Sequence, residues 1–176
     1  RLSMAPSQAW KLVAGLRLRA GIDAYYDWQG GLVWMRMEAD PDVWVGVLTA
    51  NTTGHTSPVF CAGADLKMIN AGRAGDLATK KGGFGGFTTV PRTKPVIAAI
   101  DGFALAGGME LALSCDLIVA SASSKFGIPE AKRGLAAAAG GLIKLPRQIP
   151  PRIAMELALT GDFIDATRAY ALGFIN

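Results

Sequence analysis

An α/β architecture is what this 176-residue chain predicts, and three observations predict it. Short apolar runs rich in β-branched residues recur at 43–49, 96–100 and 117–120, the form taken by strands buried on both faces. Stretches with helical character separate them. The connections are short clusters of Gly, Pro and polar residues. Strand and helix in alternation argue against a bundle or a sandwich.

The elements follow in order. A helix is expected around 10–18, and 1–31 receives no role. Residues 32–38 read as the end of a helix, halted by the turn chemistry of Ala39-Asp40-Pro41-Asp42. The run 43–49 is a strand. Residues 51–58, polar and carrying His55, Gly54 and Pro58, form a surface loop leading to a short strand at Val59 and Phe60. A helix follows over 64–71. The glycines at 82, 83, 85 and 86 lack the spacing of a dinucleotide fingerprint and read as a mobile connection. Strand 96–100, a turn, helix 108–114 and strand 117–120 come next, and a helix from Pro151 ends at Gly161 and Asp162.

Composition bounds the function. Apolar residues at 51% and charged residues at 18% permit one packed core, so 1–176 is expected to be a single domain. Eighteen basic against fourteen acidic residues leave +4, scattered without a dense tract, which points away from nucleic acid. With only Cys61, Cys115 and His55, neither a disulfide framework nor a Cys/His metal cage can be built, so no metal is expected. No charged and then apolar leader opens the sequence, and a cytoplasmic setting is the expectation. The stretch 96–115 has membrane length, but Asp101 and Glu110 would be costly in hydrocarbon and three glycines interrupt it, so no membrane span is expected.

Two places can present backbone amides to a ligand. Phe60-Cys61-Ala62-Gly63-Ala64-Asp65 and the run from Gly102 to Glu110 each join a strand end to a helix start through small residues. Amides at a helix start lack intrahelical partners and carry positive partial charge, and small side chains let a carbonyl approach the main chain. A tight turn is the plainer explanation of either run alone. Glu110 falls in a first helical turn and Glu130 follows Pro129 at another helix start, so each can serve as a capping carboxylate. Two carboxyls beside an amide pair also suit proton transfer to and from carbon, which needs an acid and a base of separated pKa beside a charge-stabilising site.

The runs CAGADL (61–66), KPVIAAIDGFALAGGMELALSCDLIVA (94–120), FGIPEAKRGL (126–135) and AMELALTGDFIDATRAYALGFIN (154–176) resemble, in order and spacing, the enoyl-CoA hydratase/isomerase or crotonase family. The likeness covers roughly 38–176. It implies a spiral of repeated strand-strand-helix units, incomplete at the C-terminal end because relatives continue past Asn176 with helices that complete the acyl pocket and a trimer contact. By the resemblance, the amides of Ala62 and Gly107 hold a thioester oxygen as it becomes an enolate, and Glu110 and Glu130 match the two catalytic glutamates that activate a water and protonate the α-carbon. Ala62, Gly63, Ala64, Asp65 and Leu66, with Gly107, match the segments that contact the acyl-CoA. Coenzyme A enters as part of the substrate, with no separate cofactor, and the implied assembly is a homo-oligomer.

The sequence departs from the family at Ala136–Ala139, where a Pro-Gly pair is usual, so the glycine amide that assists the water would be supplied by Ala138. Lys67 reads as a solvated lysine more readily than as a phosphate ligand. The expected activity is reversible hydration of a 2,3-unsaturated acyl-CoA. The stretches 82–87 and 145–151 resemble the carnitine branch of the family, which keeps dehydration of a carnitine-type acyl-CoA open beside double-bond isomerisation. A non-catalytic CoA-binding module is the reading from another class. A Clp-type protease, of related spiral fold, would require His55 as base and lacks a recognisable nucleophile turn.

Overall fold

The computed structural model describes residues 23–26, 33–36, 44–52, 54 and 56–176. Contacts divide the chain into two compact units, Arg1–Trp44 and Val45–Asn176. In the first, β1 (Asp23–Tyr26) pairs antiparallel with β2 (Val33–Arg36). Within the stretch 32–38 expected to end a helix, Val33–Arg36 is therefore strand. Val33 and Trp34 are strong strand formers, and pairing with β1 overrides the weak helical signal of a short segment. The helix expected over 10–18 and His55 lie outside the described residues.

The second unit repeats one motif. β3 (Gly46–Thr49), β4 (Val59–Cys61) and α1 (Leu66–Asn70) form the first copy. A 3-10 turn (Ala74–Leu77) and the hairpin β5 (Ala78–Thr79) and β6 (Gly83–Phe84) follow it. The second copy is β7 (Val96–Ile100), β8 (Phe103–Leu105) and α2 (Gly107–Ala112). In the third, β9 (Leu117–Ala120) and β10 (Lys125–Gly127) lead to a 3-10 helix (Pro129–Arg133). The first strands of the copies pair in parallel as β3-β7-β9, with Leu48 opposite Ala98 and Ala98 opposite Ile118. The second strands pair in parallel as β4-β8-β10. Each copy thus adds one strand to each of two sheets, which is the strand-strand-helix spiral.

Side-chain alternation fixes which face of the first sheet is inside. Leu48, Ala98, Ile100 and Ile118 are buried, while Val47, Leu117 and Val119 are exposed, the period of two that a pleated strand imposes. Past the repeats, α3 (Gly141–Gln148) and α4 (Pro151–Thr160) bury Leu145 and Leu157. Then β11 (Ile164–Asp165) joins β10 antiparallel and leads into α5 (Ala166–Ala171), capped by Asp165, whose carboxylate accepts from the Arg168 amide at 2.8 Å. Phe126, fully buried, meets Phe174 edge-on with centroids 5.2 Å apart.

The glycine-rich connection expected to be mobile is the β5-β6 hairpin, tied by Gly85 N–H to Leu77 O at 3.1 Å and Phe84 N–H to the Thr88 hydroxyl at 3.0 Å. The helix expected from Ala64 begins at Leu66, because Asp65 accepts from the Lys67 amide at 2.8 Å as its cap. The helix expected over 108–114 spans Gly107–Ala112, and the helix start expected at Pro129 is 3-10, closed by Gly134 in left-handed conformation. Among the described residues, no helix is long and apolar enough to cross a membrane.

Candidate active site

Two close approaches bring the small-residue runs together. A Cβ at Gly63 would lie 2.7 Å from the Ala106 methyl and 3.0 Å from the Gly107 nitrogen, and one at Gly108 would lie 2.0 Å from the Cys61 carbonyl oxygen. Only glycine lets the end of β4 pack directly on the start of α2. Ala106, the cap of α2, holds φ 52 and ψ −125, a region that disfavours any residue with a Cβ, and its amide is tied to Gly127 O at 2.9 Å. Gly107 follows as the first residue of α2, where an amide has no intrahelical acceptor. The Phe84 ring of the hairpin covers it, since a Cβ there would sit 2.5 Å from the ring.

Ala62, Ala64, Leu66, Gly107, Glu110 and Glu130 all line one open cleft of about 1300 Å³. Gly63 and Asp65, also expected at the site, are not part of its wall: Gly63 backs against Gly107 and Asp65 caps α1. Lys67 is exposed. Basic residues Lys132, Arg133, Lys144 and Arg147 share the wall. Of these, Lys132 is engaged by Asp162 at 2.6 Å.

Glu110 is 3% exposed, and its carboxylate reaches across to another segment, with Oε1 accepting from the Gly141 amide at 2.9 Å. It does not cap its own helix. Burial raises its pKa, while the amides of Gly141 and Ala139 and the charge of Lys144 act in the opposite sense. Glu130 has its Oε2 buried with no hydrogen-bond partner among the described residues. Burial raises its pKa, its own amide opposes that, and the Glu110 charge adds to it. Burial thus raises both carboxyls; they differ in their partners, since Glu110 has amide donors for its anion and the Glu110 charge adds to the rise at Glu130. The Ala138 amide, expected to assist a water, instead donates to Ala136 O at 2.8 Å. Ala139 and Gly141 are the amides that face the Glu110 carboxyl.

Sequence reasoning did not single out Phe84, Gly141 or Lys144. The available signal for Lys144 is a lone cation inside the apolar run Leu142 to Leu145, where helical spacing turns it toward Gly141. Burial pushes the Cys115 thiol up to about 11, so it is not a thiolate nucleophile near neutrality. Among the described residues, no group of His, Cys, Asp or Glu is placed to hold a metal ion.

Comparison with known proteins places the chain in a family. The family model described as enoyl-CoA hydratase/isomerase matches residues 32–176. A protein named carnitinyl-CoA dehydratase from Proteus mirabilis is 41% identical over 156 residues, covering 88% of this chain. The chain spans 58% of the length of that relative. A crystal structure of an enoyl-CoA hydratase from Mycobacterium tuberculosis H37Rv matches 99% of the chain and 59% of its own at 42% identity and TM-score 0.69. That of a carnitinyl-CoA hydratase from Mycobacterium avium matches 78% and 51% at 45% identity and TM-score 0.68. The spiral is the crotonase fold, and the chain belongs to the enoyl-CoA hydratase/isomerase family.

Proposed function

We propose that this chain carries the catalytic centre of an enoyl-CoA hydratase-like lyase, which adds water reversibly across the C2–C3 bond of a 2,3-unsaturated acyl-CoA. The observation that carries it is a pair of carboxyls, Glu110 and Glu130, in one cleft, the first held by the Gly141 amide and the second with a buried Oε2 that has no hydrogen-bond partner among the described residues. The thioester oxygen lies against the amides of Ala62 and Gly107. Ionised Glu110 takes a proton from water, the hydroxide bonds to C3, and the C2–C3 electron pair moves to the thioester oxygen as an enolate. The two donors are worth about 3 kcal/mol each there. Protonated Glu130 then delivers its proton to C2, and dehydration runs the same steps backwards. Ala62, Ala64 and Leu66 take the coenzyme A end, with Arg133 and Arg147 in the cleft wall to offset phosphate charge. No cofactor beyond the coenzyme A of the substrate enters these steps. The working assembly in this reading is a homo-oligomer, a trimer or a dimer of trimers.

Loss of water from a carnitine-type 3-hydroxyacyl-CoA is the second reading, favoured by the name of the relative at 41% identity. It uses the same two carboxyls in reverse. Double-bond isomerisation can proceed with one carboxyl, so retention of both favours hydration. The purified protein is assayed with crotonyl-CoA, longer and branched enoyl-CoAs, and crotonobetainyl-CoA, with acyl-CoA binding measured in parallel. Hydration is expected, with E110Q and E130Q each lowering kcat by about 10²-fold or more. Variants as active as the parent would refute the assignment, binding without turnover would make this a CoA-binding module, and exclusive use of the betainyl substrate would favour the second reading.

A further inference from the structure

The steps above use Glu110 as the ionised member of the pair but leave one half-buried cation beside it without a role. Lys144 lies one turn into α3 and lines the cleft. Its Nζ donates to Thr88 O at 2.9 Å and to the Ser114 hydroxyl at 2.6 Å. The Ser114 hydroxyl donates in turn to the backbone carbonyl of Glu110 at 2.7 Å. Lys144 makes no ion pair among the described residues, so the charge in the cleft that opposes it is that of Glu110. The same turn of α3 supplies the Gly141 amide that holds Glu110 Oε1.

Building on the proposed hydration, we propose that Lys144 is a positioning residue for Glu110: its ammonium locks the first turn of α3 to the C-terminal end of the helix that carries Glu110 and places a positive charge beside that carboxylate. Three segments converge on it. The loop after β6 gives the Thr88 carbonyl, the second residue past α2 gives the Ser114 hydroxyl, and α3 gives the lysine itself. An ammonium held by two neutral oxygens is directional where a free surface lysine is not.

The other charged groups facing this pair act in recognisable senses. The Glu110 charge opposes ionisation of its neighbour Glu130. Arg92, which stacks on Phe87 at 4.3 Å and bonds the Ser114 carbonyl, opposes protonation of Lys144. Burial acts on Lys144 in the same sense and more strongly, while Glu110 and Cys115 favour its charged form. Glu110 and Cys115 thus offset part of a net lowering of the Lys144 pKa, and removing either charge of the Lys144–Glu110 pair is felt by the other.

The test reads Glu110 directly. The side-chain carboxyl carbon of Glu110, assigned by its absence in E110Q, is titrated by NMR in the parent, K144Q and K144R. K144Q keeps a donor but removes the charge, and it is expected to raise the Glu110 midpoint by about 0.5–1 pH unit. K144R is expected to restore most of it. In activity, K144Q moves the acid limb of kcat upward by the same amount with KM changed less than about threefold, whereas a merely structural role lowers kcat without moving the limb. S114A, which keeps the charge and removes its seat, is expected to give a smaller shift and serves if K144Q does not fold. An unmoved Glu110 midpoint in the folded variant, K144Q or S114A, overturns the proposal. The titration decides even if no enoyl-CoA is turned over, so failure of the hydratase reading and failure of this one are separate results.

Discussion

Ala106 stands in a backbone region that an alanine occupies only under compulsion. Its φ of 52 and ψ of −125 set the direction of the Gly107 amide, and the Gly127 carbonyl holds the Ala106 amide there. Backbone strain of this kind costs about 1–3 kcal/mol, and a methyl at a half-buried site returns little of it. Substituting A106G therefore removes the strain while adding some freedom to the unfolded chain, and the net is an expected gain of about 1 kcal/mol in stability. Thermal unfolding of parent and variant measures it. Equal or lower Tm in the variant would mean that the surrounding contacts, the close approach of Gly63 above all, have made this conformation unstrained. Activity is expected to stay within about threefold, because the hydrogen bond to Gly127 and the packing of Gly63 remain to aim the turn.

At the scale of elements, the β5-β6 hairpin is the piece whose role the sequence concealed most. It lays the Phe84 ring over Gly107 so closely that no side chain fits between them. In the proposed reaction a ring so placed would limit water at the amide turn, where solvent weakens a hydrogen bond to a developing oxyanion. F84A is expected to lower kcat/KM for the best enoyl-CoA by about tenfold, with most of the loss in kcat and little change in Tm. A loss confined to KM would make Phe84 a substrate contact and no part of the amide turn. The four glycines around it reveal only freedom of backbone, so a hairpin and a mobile loop look alike until Leu77 and Thr88 supply their hydrogen-bond partners. Strands β7 and β9, in contrast, are read from the sequence with their observed bounds, since five and four consecutive apolar residues between turn signals admit little else. Glu110 and Glu130 are legible as carboxyls at helix starts, but their meeting is tertiary. The capping role that local sequence offers Glu110 gives way to a bond with Gly141, thirty-one residues away. Ala138 shows the converse: counting along the chain selects its amide, and the fold spends that amide on Ala136.

For the molecule as a whole, the same carboxyls set a pH dependence of stability with a definite sign. The pKa of Glu130 is raised in the folded chain, chiefly by burial, above its ordinary value of 4.5. The folded state then binds its proton more tightly than the unfolded state does. Its favourable contribution is complete below about pH 4.5 and is lost as pH rises through the folded value, so at neutral and alkaline pH the buried carboxylate weakens the fold. Glu110 contributes in the same sense, tempered by its two amides and Lys144. E130Q cannot ionise. Relative to the parent, its Tm is expected to be higher by about 3 °C at pH 8, with the difference shrinking toward zero near pH 4. Differential scanning calorimetry of both proteins across that range provides the check, with the titrating groups not coupled to Glu130 cancelling in the difference. A constant offset between the two would trace the effect to packing of the amide and remove ionisation of Glu130 as its cause. The catalytic reading and the stability reading rest on one physical fact, an acid held out of water with its Oε2 unpartnered, so activity should decline with rising pH over the same interval in which the parent loses Tm against E130Q.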